Sequence, residues 1–174
     1  MRLLTSEEQE QLFRNCRRRA FHLEVQDSYA VEDEAEALAK FLETGEFEYD
    51  PEWQHWDDLM REVTESGRLV QRVRVVTEPH TDYTRFLYAT TGSNIDSGED
   101  IRWLPRHAIA PAELTTDDWW LFDDDAVAFT TFRPDETLGG FAVTRDPKIV
   151  EYCRTVRDRV WPLAIPHAEY RITQ

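Results

Sequence analysis

The run Leu69-Val70-Gln71-Arg72-Val73-Arg74-Val75-Val76 constrains the fold of this chain more than any other segment. Its β-branched residues read as a strand. A period of two sets Gln71, Val73 and Val75 on one face with Arg72 and Arg74 on the other. So apolar a strand belongs inside a sheet, and guanidinium groups that are partly buried there demand partners.

Helical and strand patterns bracket this run. Thr5 and Glu8 have the spacing of a capping box, and Leu12, Phe13 and Cys16 follow as an apolar stripe. A helix over residues 6–18 is predicted, with Arg17-Arg18-Arg19 complementing its C-terminal carbonyls. Phe21, Leu23 and Val25 then alternate with His22, Glu24 and Gln26 as a short strand. Val31, Ala35, Leu38 and Leu42 share a face of a second helix that Gly45 stops. Asp50-Pro51 opens a third, in which Trp53, Trp56, Leu59, Met60 and Val63 run on to Gly67. Thr81 caps a helix carrying Tyr83, Phe86 and Leu87, and a turn at Ser97-Gly98 precedes a strand over residues 101–105. Strands at 119–122 and 126–132 flank Asp123-Asp124-Asp125, a hairpin pattern, since Asp stabilises turns through its own hydrogen bonds. A further strand at 140–144 follows the turn at Pro134-Asp135-Glu136. Asp146-Pro147 opens a last helix, lined by Ile149, Val150, Cys153, Val156 and Val160 and closed by Pro162. The expected class is α+β: a mixed or mainly antiparallel sheet packed by N- and C-terminal helices, with the helices on one face. One globular domain is expected over residues 1–174, divisible into a helix-rich lobe (1–67) and a sheet-rich lobe (68–145) with the C-terminal helix (146–162).

Charge narrows the choice of partner. The 174 residues carry 20 Lys+Arg against 35 Asp+Glu, a formal charge of −15. That field repels a polyanion, so direct nucleic-acid binding is not expected. Two blocks supply most of it: residues 20–58 hold thirteen carboxylates and one lysine, and residues 113–136 eight carboxylates and one arginine. Between them, residues 59–112 balance seven arginines with seven acids. No stretch approaches the ~20 apolar residues of a membrane span, and acidic residues follow Met1 too soon for a signal peptide's apolar run. A cytoplasmic protein is expected, with Cys16 and Cys153 as reduced core thiols.

No histidine spacing fits zinc, and no GxxxxGK[ST], GxGxxG or GxSxG motif occurs, so neither metal, cofactor nor catalytic residues are assigned. The informative region is 72–106. There Arg72, Arg74, Arg85, Arg102 and Arg106 mix with Asp82, Glu99 and Asp100 and with Tyr83 and Trp103. Arginine holds carboxylates and phosphates in two-point contact and stacks on rings, so these ten residues are candidates for binding a small anionic ligand or an acidic partner segment. The same equal charges can instead pair internally and fix strand register.

Several motifs together are similar to an actinobacterial family of small proteins of unknown function. They are Arg68 to Val76 with Glu78-Pro79, Thr81-Asp82-Tyr83 with Arg85-Phe86, Gly98 to Arg106, Asp118 to Asp123, and Ala20-Phe21-His22-Leu23-Glu24 with Tyr29. Leu87 departs from the acidic residue expected there. The resemblance spans nearly the whole chain and carries no catalytic residues with it. Its members are often encoded beside helix-turn-helix regulators, which implies a protein partner of that kind. The expectation is a non-enzymatic regulatory module that binds such a DNA-binding regulator or a small anionic ligand. The alternative is a hydrolase or toxin-system component acting on a phosphorylated substrate.

Overall fold

The computed structural model describes residues 2–29, 32–134 and 137–172; Val31 and the Asp135-Glu136 part of the expected turn lie outside them. In chain order the elements are β1 (Arg2–Leu4), α1 (Ser6–Asn15), β2 (Arg19–Glu24), α2 (Glu32–Thr44), α3 (Gln54–Glu65), β3 (Leu69–Val76) and α4 (Asp82–Asp96). There follow β4 (Asp100–Pro105), β5 (Trp119–Phe122), β6 (Ala126–Phe132), β7 (Leu138–Thr144), α5 (Pro147–Leu163) and β8 (Ile165–Pro166). The fold is α+β.

The eight strands form one sheet in the order β1-β7-β6-β5-β2-β3-β4-β8. β2, β3 and β4 are parallel, and the other neighbours are antiparallel. Connectivity explains the parallel centre. A parallel return needs a long crossover; α2 and α3 supply it between β2 and β3, and α4 between β3 and β4. The sheet passes through the expected lobe boundary, because β2 from the first lobe lies between β5 and β3.

Helices cover both faces, which corrects the expectation of one. Phe21, Leu23, Val73, Val75 and Leu104 pack under Val150, Cys153, Val156 and Val160 of α5. On the opposite face Ala20, Val70, Trp120 and Phe122 meet Phe13 of α1 with Leu59, Met60 and Val63 of α3. Beside them Val76 and Trp103 meet Tyr83, Phe86 and Leu87 of α4, with Leu38 and Phe41 of α2 against the same cluster. The central strands bury both parities of side chain, so each face needs its own cover.

Local chemistry sets the element ends. Thr5 and Glu8 form the capping box, and the Thr81 hydroxyl accepts from the Thr84 amide at 3.1 Å to start α4. Asp123 and Asp124 take φ of 51° and 58°, a two-residue turn of the kind that matches strand twist, closed by the Asp125 amide on the Phe122 carbonyl at 2.9 Å. α1 stops at Asn15, short of the expected residue 18. The amides of Arg17, Arg18 and Arg19 instead donate to the Asp123 carboxylate at 2.7, 2.8 and 3.1 Å, so the arginine run leads into β2.

Candidate functional site

Alternation in β2 places Ala20, His22 and Glu24 on the face opposite α5, and register brings other polar groups beside them. His22 lies between Trp120 of β5 and Arg72 of β3, and Glu24 lies opposite Arg74, which is opposite Trp103 of β4. The result is a polar patch inside a sheet otherwise packed with apolar groups. It forms part of the lining of an open-sided cavity of about 500 Å³ bordered by residues of α1, α2, α3, α4, β6 and β7.

The arginines are held from within. Glu24 bridges them, accepting from Arg72 Nη1 at 2.5 Å and from Arg74 Nε at 2.8 Å. Arg72 also grips Glu99 with two nitrogens, at 2.9 and 3.2 Å, and Trp56 Nε1 donates to the same carboxylate at 2.9 Å. Arg74 Nη1 donates to the Leu87 carbonyl at 3.0 Å and to Thr91 Oγ1 at 2.7 Å. Burial works to raise the Glu24 pKa, but Arg72 and Arg74 outweigh it and hold the carboxyl at about 2.

His22 is different. It is 8% exposed and stacks on Trp120, with ring centroids 4.2 Å apart and an interplanar angle of 16°. Neither ring nitrogen has a hydrogen-bond partner among the described residues. Nδ1 is 3.5 Å from Glu24 Oε1, yet the ring is neutral: burial dominates the nearby carboxylate, Arg72 and Arg74 add to it, and the pKa falls to about 3. The contact is therefore no ion pair at physiological pH.

Two tyrosines occupy another part of the lining, with ring centroids 5.6 Å apart. Tyr29 donates its hydroxyl to Asp118, which also accepts from the Val25 amide at 2.7 Å. Tyr83 donates to Glu34 at 2.6 Å. Burial lifts Asp118 to about 7 despite both of its donors, and burial likewise raises Glu34 despite Tyr83.

The ten sequence candidates do not converge. Arg72, Arg74 and Tyr83 line the cavity, and Glu99 backs Arg72. Trp103 lies on the same sheet face with Arg74 5.4 Å above its ring, but it is consumed in packing, stacked on Tyr170 at 5.4 Å and donating Nε1 to His167 at 3.0 Å. Arg102, of opposite parity in β4, points to the α5 face with its guanidinium 3.7 Å from the Trp161 ring centre and Asp100 3.6 Å away. Arg106 follows β4 and ties down the Val25 carbonyl at 2.5 Å and Asp27 at 3.4 Å. Asp82 and Arg85 are exposed in the first turn of α4. A common arginine locus is thus corrected to two internally neutralised guanidinium groups. His22, Glu24, Tyr29, Glu34, Asp118 and Trp120 were not among the candidates; the readable signal was that His22 and Glu24 share a strand face while their neighbours Phe21 and Leu23 are apolar.

Among the described residues no group of three or more His, Cys, Asp or Glu side chains is arranged to hold a metal, and no helix is long and apolar enough to cross a membrane. No curated protein matches the chain. Among solved structures it is similar to NucT from Helicobacter pylori, at a TM-score of 0.48 and 10% identity over 90% of this chain and 87% of that one. The family of a domain of unknown function, DUF6879, matches residues 7–172. With nearly its whole length matched, the chain belongs to the DUF6879 family.

Proposed function

We propose that this chain is a ligand-binding regulatory domain, with the cavity on the α1–α4 face of the sheet as the binding site. One observation carries the reading: this face of the sheet encloses space walled by the aromatic side chains of Trp56, Trp120, Tyr29 and Tyr83 together with buried polar groups, His22 among them. The volume, about 500 Å³, suits a small organic molecule, and the walls mix aromatic faces with a few fixed polar groups, as such sites do. The anion-binding version of this function loses its support, because Arg72 and Arg74 already have carboxylate partners. The acid-rich blocks suit a basic partner such as a DNA-binding regulator, with an association rate that falls as salt rises.

The test is a thermal-shift screen against a panel of amines, nucleosides, carboxylates and sugar phosphates, followed by tryptophan fluorescence titration, since Trp56 and Trp120 line the cavity. The expected result is at least one compound that raises Tm and changes emission in the wild type and does neither in His22→Phe. A panel without effect, or equal effects on His22→Phe, overturns the reading.

A further inference from the structure

Gln9 of α1 lines the same cavity, and its side chain is placed unlike the other polar groups there. Gln9 and Phe13 are the two buried residues of α1, four positions apart and therefore on one helix face. Phe13 meets the rings of Trp120 and Trp56 at 4.7 and 5.4 Å, so α1 carries the Gln9 carboxamide one turn beyond that aromatic cluster. Gln9 is 8% exposed, and among the described residues its carboxamide makes no hydrogen bond. Its oxygen and nitrogen are not sealed within the protein, as the ring nitrogens of His22 are. A nine-tenths buried amide with open polar atoms and no partner is the kind of group that a guest satisfies.

The charged groups around it are already answered. Glu24 and Glu99 neutralise Arg72 and Arg74. Glu34 and Asp118 accept tyrosine hydroxyls, and Asp57 accepts from Tyr49 at 2.6 Å. Glu10 is paired with Arg14 and His55, and Glu52 is exposed to solvent. Six carboxyl groups against two guanidinium groups in the lining disfavour an anion. The chemistry left open on the wall is therefore neutral: a donor and an acceptor side by side on a planar amide, near the half-buried ring of Trp56.

We propose that the guest is an uncharged flat heterocycle with an amide-like edge, as a lactam or a nucleobase has, whose adjacent donor and acceptor pair with the Gln9 carboxamide while its rings lie against Trp56. A glutamine side chain reads the edge of adenine through the same two-point contact. This rests on the ligand-binding reading above and deepens it by naming the class of guest and the residue that selects it.

Three bicyclic probes of matched shape test it by calorimetry at neutral pH: isoquinolin-1-one, with adjacent N–H and C=O; isoquinoline, with a lone acceptor; and isoquinoline-1-carboxylate, an anion. Isoquinolin-1-one is expected to bind at least about tenfold more tightly than either of the others, the equivalent of two neutral hydrogen bonds. Gln9→Met keeps the length of the side chain and a good helix former. In that variant isoquinolin-1-one should fall to within about twofold of isoquinoline, whose own affinity stays unchanged and so reports an intact cavity. Equal binding of the two by the wild type, as a Gln9 satisfied by solvent would give, overturns the amide assignment and leaves the ligand-binding reading standing. So does a preference that survives Gln9→Met, or an anion bound as tightly as the lactam. If none of the three binds, the assignment falls, and if the wider panel is silent as well, the ligand-binding reading falls with it.

Discussion

His22 and Asp118 line one cavity and titrate in opposite senses. Burial, reinforced by Arg72 and Arg74 and opposed by Glu24, holds the His22 imidazole at about 3 against an ordinary 6.5. Below pH 6.5 the unfolded chain takes up a proton that the folded chain refuses, so the stability from this group is complete above 6.5 and is lost as pH falls toward 3. Asp118, lifted by burial and by Glu24 and Asp117 to about 7 from 3.8, behaves in reverse. The folded chain keeps a proton that the unfolded chain has released, so stability is complete below 3.8 and is lost as pH rises toward 7. Between about pH 4 and 6.5 the two slopes, each about 1.4 kcal/mol per pH unit, oppose one another. Urea unfolding across that window should show His22→Phe losing stability with rising pH relative to wild type and Asp118→Asn gaining it. Superimposable profiles for all three proteins would show that neither group is perturbed. This residue-level chemistry was hidden in the sequence: a histidine and an aspartate 96 positions apart acquire abnormal pKa values only from burial on a shared wall.

At the scale of elements, the Asp123 turn joins two distant segments. Its carboxylate gathers three consecutive amides at the entry to β2 as well as the Cys16 thiol. Asp123→Ala leaves those amides without their acceptor and should cost about 2–4 kcal/mol, read as a lowered urea midpoint with unchanged m-value. Asp123→Asn, which retains one carbonyl oxygen, should fall between; an alanine variant as stable as wild type would dismiss the cradle. The hairpin itself was legible, because three aspartates between two apolar runs have few other uses. Its second role was not, since nothing local links Asp123 to residues 17–19. Caps were equally readable at Thr5, Thr81 and Asp146, where the signal is confined to four residues. α2 was read less well: Leu38 packs inward as expected, but Phe41 takes the core position and Leu42 is 52% exposed. Apolar residues at 35, 37, 38, 39, 41 and 42 fit more than one stripe, and only the neighbouring α4 selects among them. β1 and β8, three and two residues long, exist through pairing with β7 and β4 and have no pattern of their own.

For the whole molecule, the sheet divides the interior into two cores, and the two cysteines fall on opposite sides, Cys16 with α1 and α3 and Cys153 with α5. Both are free, and burial pushes their thiols up to about 11 and about 12. A thiol reagent such as DTNB should therefore leave the native protein unmodified and titrate both thiols in urea; rapid native labelling would mean that one core opens readily. The same division defeats a prediction made along the chain. Arg72 and Arg102 lie on adjacent strands, yet parity sends the first toward the cavity and the second toward α5. Proximity in sequence suggested one arginine cluster, and the sheet distributed its members over two faces and an edge.

The sequence by itself determined most of the elements and their amphipathic faces, β1, β8 and the inward face of α2 excepted, because caps, turns and alternating patterns depend on contacts within a few residues. It also determined that the centre of the sheet would carry buried guanidinium groups. Tertiary structure alone decided which carboxylates neutralise them, and which polar groups were left over to face the cavity. Strand order and register bring together residues from β2, β3, β5, α2 and α4, and those pairings are set by the packing of the entire sheet, which no local pattern encodes.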